Sequence, residues 1–149
     1  MPFDLHRAIE HVHGQAGWLS AALLIHPAIA LRSRTRNVGL TVLLSTALAT
    51  LTSASGAWLY VGYRESLKRD IFQHARSVGL LFERKEHLAF AALMLAWAGV
   101  IAYFTSTRAA SIGIRNSLRT MAFRSFACSA VLAVLTAIFG TWVGIYRSF

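Results

Sequence analysis

Residues 11–27 read HVHGQAGWLSAALLIHP, three histidines at the mouth of and within an apolar run. Whether that run crosses a bilayer decides the fold. The polar stretch through His13 bounds it on one side and Arg32, Arg34 and Arg36 on the other, so residues 14–31 carry no Lys, Arg, Asp or Glu. At ~1.5 Å per residue such a segment suffices to cross ~30 Å of hydrocarbon. Working outward, 27 uncharged residues lie between Arg36 and Arg64, 21 between Glu86 and Arg108, and 22 between Arg124 and Arg147.

The whole composition agrees with four spans: of 149 residues 56% are hydrophobic and 14% charged, with mean hydropathy +0.52. This is membrane composition. The expected fold is an all-α, integral membrane four-helix bundle. It forms one transmembrane domain over residues 1–149, with spans at about 14–31, 37–61, 87–106 and 124–146. The opening MPFDLHRAIEHVH lacks a short basic start running directly into an apolar stretch, so the first span is expected to be retained rather than cleaved as a signal peptide. The lone cysteine, Cys128, excludes an intrachain disulfide and the paired thiols of covalent haem attachment. It falls inside the fourth span, where a small buried thiol is expected. The net charge of +9 is read as a loop face near anionic lipid headgroups, because no basic stripe with interleaved stacking aromatics points to nucleic acid.

Four spans alternate in direction. Residues 1–13, the segment 64–86 and the C-terminal RSF then share one side, the N-side, and residues 32–36 and 108–124 share the other, the loop side. All six acidic residues and five of the six histidines fall on the N-side. Lys and Arg divide eight against seven, so the positive-inside rule leaves orientation to the basic residues that crowd the loop-side span ends. These lean towards a cytoplasmic loop side, an outward N-side and a bacterial inner membrane. The segment 64–86 carries Leu67, Ile71, Val78, Leu80, Leu81 and Phe82 among charges, and is expected to lie as an amphipathic cap over the N-side mouth.

The chain also compares with itself. Aligning His13 with His87 places Arg34 on Arg108, each pair 21 residues apart. The second helix of each half ends alike, Gly56-Ala57-Trp58 then Tyr63-Arg64, and Gly140-Thr141-Trp142 then Tyr146-Arg147. We read a duplicated transmembrane hairpin, packed about a pseudo-two-fold axis along the membrane normal.

In that packing His13 and His87 become mates at one depth, near the N-side ends of the first and third spans. Two facing imidazoles suit a haem iron between helices. Gly14 and Gly17 leave the first helix bare beside His13, where a planar ring needs close approach, although glycines also serve helix packing. Arg64 and Arg147 could pair with propionates or snorkel to the interface. Trp58 and Trp142 could flank a macrocycle, but an aromatic belt is the plainer expectation. His11 competes with His13; at ~100° per residue the two point ~200° apart, so only one faces inward, and the repeat favours His13. His26, before Pro27, stands ~20 Å further along the helix. It would need a partner such as Met121 for a second haem; otherwise it bonds a carbonyl freed by the proline or lines a polar pocket. His74, in the 64–86 segment, is expected to be solvated, with a ligand or gate as the other option.

A metal site is the rival. Glu10 and His13 are three residues apart and Glu83 and His87 four, so each pair shares a helical face and could bind iron, zinc or copper together with His11, His26 or His74. Only the first pair has the Glu-x-x-His spacing of carboxylate-bridged di-iron bundles. Glu86 is expected as an interface charge paired with Lys85 or Arg84.

Four short helices with histidines from two of them near one face resemble small four-helix membrane b-type cytochromes. That resemblance covers the architecture and, as ligands, His13 and His87. It implies haem b and electron transfer with a quinol or protein redox partner. The alternatives are a metal-dependent membrane enzyme using Glu10, His13, Glu83 and His87, and a small structural subunit of a membrane complex or homo-oligomer. No nucleophile, base and orienting group converge, so outside the metal reading the sequence makes no case for catalysis.

Overall fold

The computed structural model describes residues 5–33, 37–66 and 68–147, and within these the side chains of all but 5–7, 66, 146 and 147. It contains five helices: α1 Leu5–Arg32, α2 Gly39–Ser66, α3 Lys68–His74, α4 Arg76–Arg108 and α5 Ile112–Arg147. Among the described residues there is no strand. α1, α2, α4 and α5 are each long and apolar enough to cross a membrane. The fold is therefore the membrane four-helix bundle that the charge-free intervals predict.

Two boundaries differ from the sequence reading. The segment 64–86 is not one separate cap: α2 runs on to Ser66, only the seven residues of α3 break away, and Arg76–Glu86 continue straight into the third span as α4. On the other side α5 begins at Ile112, so most of the 108–124 connection is helix. Neither stretch contains a proline, so nothing in either removes a backbone donor from a continuing helix. At 33 and 36 residues, α4 and α5 are ~50 Å long, so their charged ends stand beyond a ~30 Å hydrocarbon layer.

The four long helices form a closed ring. α1 packs on α2 and α5, and α4 packs on α5 and α2, while the diagonal pairs α1/α4 and α2/α5 build no packed interface. This is the arrangement two hairpins adopt about a two-fold axis. Burial supports the symmetry residue by residue. On α1 the seam runs through Ser20, Leu24, Pro27 and Leu31, alternating four and three residues, and on α4 through Ala92, Ala96, Gly99 and Tyr103. Each position of the first set has its counterpart 72 residues later. On the second helices Val42, Ser45 and Thr46 match Phe126, Ser129 and Ala130, all 84 residues apart and all buried.

Lipid gives apolar side chains no reason to leave it, so helices in a bilayer associate through close packing of small residues and interhelical hydrogen bonds. The core follows this rule. Ala21, Ala28, Ala92, Ala96, Ala122 and Ala130 line it, and the Phe126 ring lies directly on Gly99, where a Cβ would stand 2.7 Å from its Cε2. Ser20 Oγ and Thr52 Oγ1 bond within the first hairpin at 2.9 Å, and Ser129 donates to the Ala92 carbonyl within the second at 2.7 Å. Trp18 of α1 donates to Thr141 of α5 and Trp97 of α4 to Thr50 of α2, each at 3.2 Å, so each hairpin's first helix is tied to the other's second. On the loop side Asn37 caps α2 by accepting from the Gly39 amide, and the buried Tyr103 hydroxyl donates to the same Asn37 oxygen.

Candidate functional site

His13 is the imidazole that the α1 seam turns inward. Carried back from Ser20, the four-three spacing passes through Gly17, His13 and Glu10, whereas His11 lies off the seam and is exposed. The ring rests on Gly56 of α2: a Cβ there would lie 2.8 Å from His13 Cε1, so glycine is what lets the two meet. His13 Nδ1 stands 2.9 Å from Ser55 Oγ. The Ser55 hydroxyl spends its hydrogen on the Thr52 carbonyl, 2.8 Å away. Its oxygen is left to accept, so Nδ1 carries the proton and Nε2 keeps its lone pair. Nε2 lies 3.4 Å from the position of a Gly56 Cβ, while at Gly14 and Gly17 a Cβ on α1 would meet nothing within 4 Å. The bundle therefore holds an oriented imidazole seated on α2 at its N-side end.

His87 is not brought to His13. Its ring is exposed, and Nδ1 donates to the Glu83 carbonyl one turn earlier on its own helix at 2.7 Å. The reason is register. The α4 seam continues back from Ala92 through Ala89, Lys85, Phe82 and Val78, and His87, two residues from Lys85, points ~200° away from it. The seam position 72 residues after His13 is Lys85. The Lys85 side chain is only 13% exposed, and its stem lies on α5, where its Cδ would be 3.6 Å from a Cβ on Gly140. Gly56 and Gly140 are the glycines of the two GxW endings, so His13 over Gly56 and Lys85 over Gly140 are the equivalent contacts. Lys85 Nζ pairs with Glu86 Oε1 at 2.8 Å and sits 4.5 Å from the centre of the Phe82 ring. Glu86 is thus paired with Lys85 as the sequence predicts, but this pair faces the mouth of the bundle rather than open water.

The other candidates are dispersed. Glu83 bonds Lys68 of α3 at 2.8 Å. His74 is exposed, its Nδ1 3.1 Å from both the carbonyl and the carboxylate of Asp70. His26 is exposed beside the buried Pro27, and Met121 is exposed on α5. Arg64 is exposed, and the side chain of Arg147 lies outside the described residues. Trp58 and Trp142 are more than half exposed, as a lipid-facing belt requires. Glu10 shares the α1 seam with His13, but among the described residues no group of three or more His, Cys, Asp or Glu side chains could hold a metal ion. Cys128 is exposed rather than buried, because it stands two residues from the seam position Phe126.

Haem b, the group implied by the resemblance, can be tested against these residues. His13 meets one requirement: its Nδ1 is held by the Ser55 oxygen, as ligating histidines generally are, while its Cε1–Nε2 edge lies on Gly56 of α2. His87 on the outer face of α4 offers no second nitrogen to that space. No family model, no curated protein and no solved structure matches this chain.

Proposed function

We propose that this protein is a membrane-embedded electron carrier of the b-type cytochrome kind, with His13 as the axial ligand at its N-side mouth. The observation that supports this reading is the His13 ring turned into an apolar bundle, seated on Gly56 of α2 with Nδ1 2.9 Å from Ser55 Oγ. An ionisable side chain held inside a membrane bundle costs free energy unless it is used, and this one is presented as a ligand. Haem would supply the one-electron couple; the chain fixes the imidazole, closes the mouth with the Lys85–Glu86 pair and keeps the surroundings apolar. The electron partner is a quinol or a second redox protein, and the N-side faces outward from a bacterial inner membrane.

The test is an absorption spectrum of the purified protein, oxidised and dithionite-reduced, together with elemental analysis. A reduced α-band with stoichiometric iron, absent in His13→Ala, supports the cytochrome. Stoichiometric zinc, copper or iron without a chromophore points instead to the metal enzyme. Neither result leaves a structural subunit.

A further inference from the structure

The outer face of α5 has a polar end that the bundle does not call for. Arg124, Cys128, Val131, Leu135, Ile138 and Trp142 alternate four and three residues apart, so they stand in one line along the helix, and all are exposed. The line lies opposite the face that buries Ala122, Phe126 and Ser129. Its counterpart on α2, 84 residues earlier, runs from Leu40 through Leu44 and Leu51 to Trp58, exposed and uncharged. Arg124 stands where α2 has Leu40, so neither packing nor symmetry asks for a cation there. Gly39, which opens α2, corresponds to Phe123, and the turns of α5 from Ile112 to Ala122 therefore have no counterpart. On those turns Asn116, Ser117, Thr120 and Met121 form with Arg124 an open hollow of about 430 Å³. That volume lies within the range of small-ligand sites, roughly 300–1,000 Å³. Thr120 spends its hydroxyl hydrogen on the Asn116 carbonyl at 2.9 Å, which leaves the Arg124 guanidinium, the Asn116 amide and the Ser117 hydroxyl as donors. The loop side holds seven arginines and no acidic residue, so no carboxylate of the chain answers Arg124 there.

We infer that this hollow holds one anionic phospholipid, its phosphate on Arg124, Asn116 and Ser117 and one acyl chain laid down the line from Cys128 to Leu135. The inference is independent of the cytochrome reading. A guanidinium presents paired donors that match two oxygens of a phosphate. Arg124 bounds the 22-residue charge-free interval of the fourth span, which puts it at the level of the headgroups. The apolar line starts one turn below it, so a single molecule with a phosphate at one end and a hydrocarbon chain at the other meets both parts. A net negative lipid is favoured over a zwitterionic one, because the latter brings its own ammonium to a side of the protein that already carries only cations.

Cys128, the one thiol of the chain, lies a turn from Arg124 on the same line and reports on occupancy. The experiment follows its alkylation by N-ethylmaleimide in the full chain, purified in a non-ionic detergent and titrated with phosphatidylglycerol, with phosphatidylcholine of the same chains, or with glycerol phosphate. The expected result is that phosphatidylglycerol slows the reaction saturably, and that phosphatidylcholine needs about ten times the concentration to do so, as loss of a charge-assisted contact requires. Arg124→Gln brings phosphatidylglycerol down to the phosphatidylcholine level, Arg124→Lys recovers part of the difference, and Arg115→Gln, which is off the line, changes nothing. Equal protection by the two lipids in the wild-type chain overturns the inference, and so does protection that persists in Arg124→Gln. Binding of glycerol phosphate, shown by its competing with phosphatidylglycerol at equal concentration, overturns it in favour of a free-anion site. Should Arg124→Gln fail to fold by circular dichroism, the comparison of the two lipids on the wild-type chain decides.

Discussion

The site turns on which single residues meet across the bundle. His13 reaches its place because Gly56 has no side chain, so Gly56→Ala forces a Cβ to within 2.8 Å of the ring and the imidazole must move. We expect Gly56→Ala to lose haem absorbance while the chain still inserts, checked by spectrum and by circular dichroism of the purified protein. Ser55→Ala removes the acceptor that sets the His13 tautomer; the loss of one hydrogen bond costs about 0.5–1.5 kcal/mol, and weaker haem retention on dilution is the measurable result. The sequence favours His13 over His11 through its alignment with His87, whereas in the bundle it is the seam carried back from Ser20 that turns His13 inward. His87 is set opposite it by matching like with like, whereas the bundle matches buried positions and leaves His87 exposed. The spacing of Ala92, Ala96, Gly99 and Tyr103, carried two turns back, passes through Lys85 and misses His87. That signal was in the sequence, but a charged residue near a span end is ordinarily taken as solvated.

At the scale of helices, the charge-free intervals predict four spans because charge is what hydrocarbon excludes most strongly. They do not predict where helices stop. Backbone hydrogen bonding continues past the membrane boundary wherever nothing breaks it, so α4 and α5 run well beyond their apolar runs. The short α3 is held to α4 by Phe72 packed on Gly79 and by Lys68 bonded to Glu83. The Glu83 hydrogen bond raises the Lys68 ammonium above the ordinary lysine range. A raised lysine contributes its stabilisation in full below its unfolded value and loses it as pH climbs through the folded one. The α3 latch is therefore expected to hold at neutral pH and to loosen only in the alkaline range above that of free lysine. Amide hydrogen exchange of residues 68–74 in wild type and in Lys68→Met, compared at neutral pH, checks the latch; equal protection would show that Phe72 alone holds it. In the membrane core, Gly99→Ala drives a Cβ into Phe126 and should destabilise the chain by about 1–3 kcal/mol, read by unfolding in mixed micelles.

The whole molecule is two hairpins closed into a ring about a pseudo-two-fold axis. The repeated GxW endings made this legible, and the burial pattern carries it over both helix pairs. Symmetry places small residues at the axis, and it leaves the large apolar side chains Ile29, Leu51, Phe90, Ile101 and Trp142 facing outward, where lipid receives them. Cys128, mid-span and exposed on that outer face, should react with a lipid-soluble maleimide and resist a charged, membrane-impermeant one in intact vesicles. Labelling by both reagents alike would place that face in water. The N-side end breaks the symmetry: His13 lies over Gly56 in one hairpin and Lys85 over Gly140 in the other.

The central claim is that His13, and not His87, presents a nitrogen to a redox group inside the bundle. The reduced-minus-oxidised difference spectrum of wild type, His13→Ala and His87→Ala, recorded side by side on protein purified from membranes, tests it most directly. The account predicts an α-band in wild type, the same band in His87→Ala and none in His13→Ala. A band that vanishes with His87 and survives without His13 contradicts it.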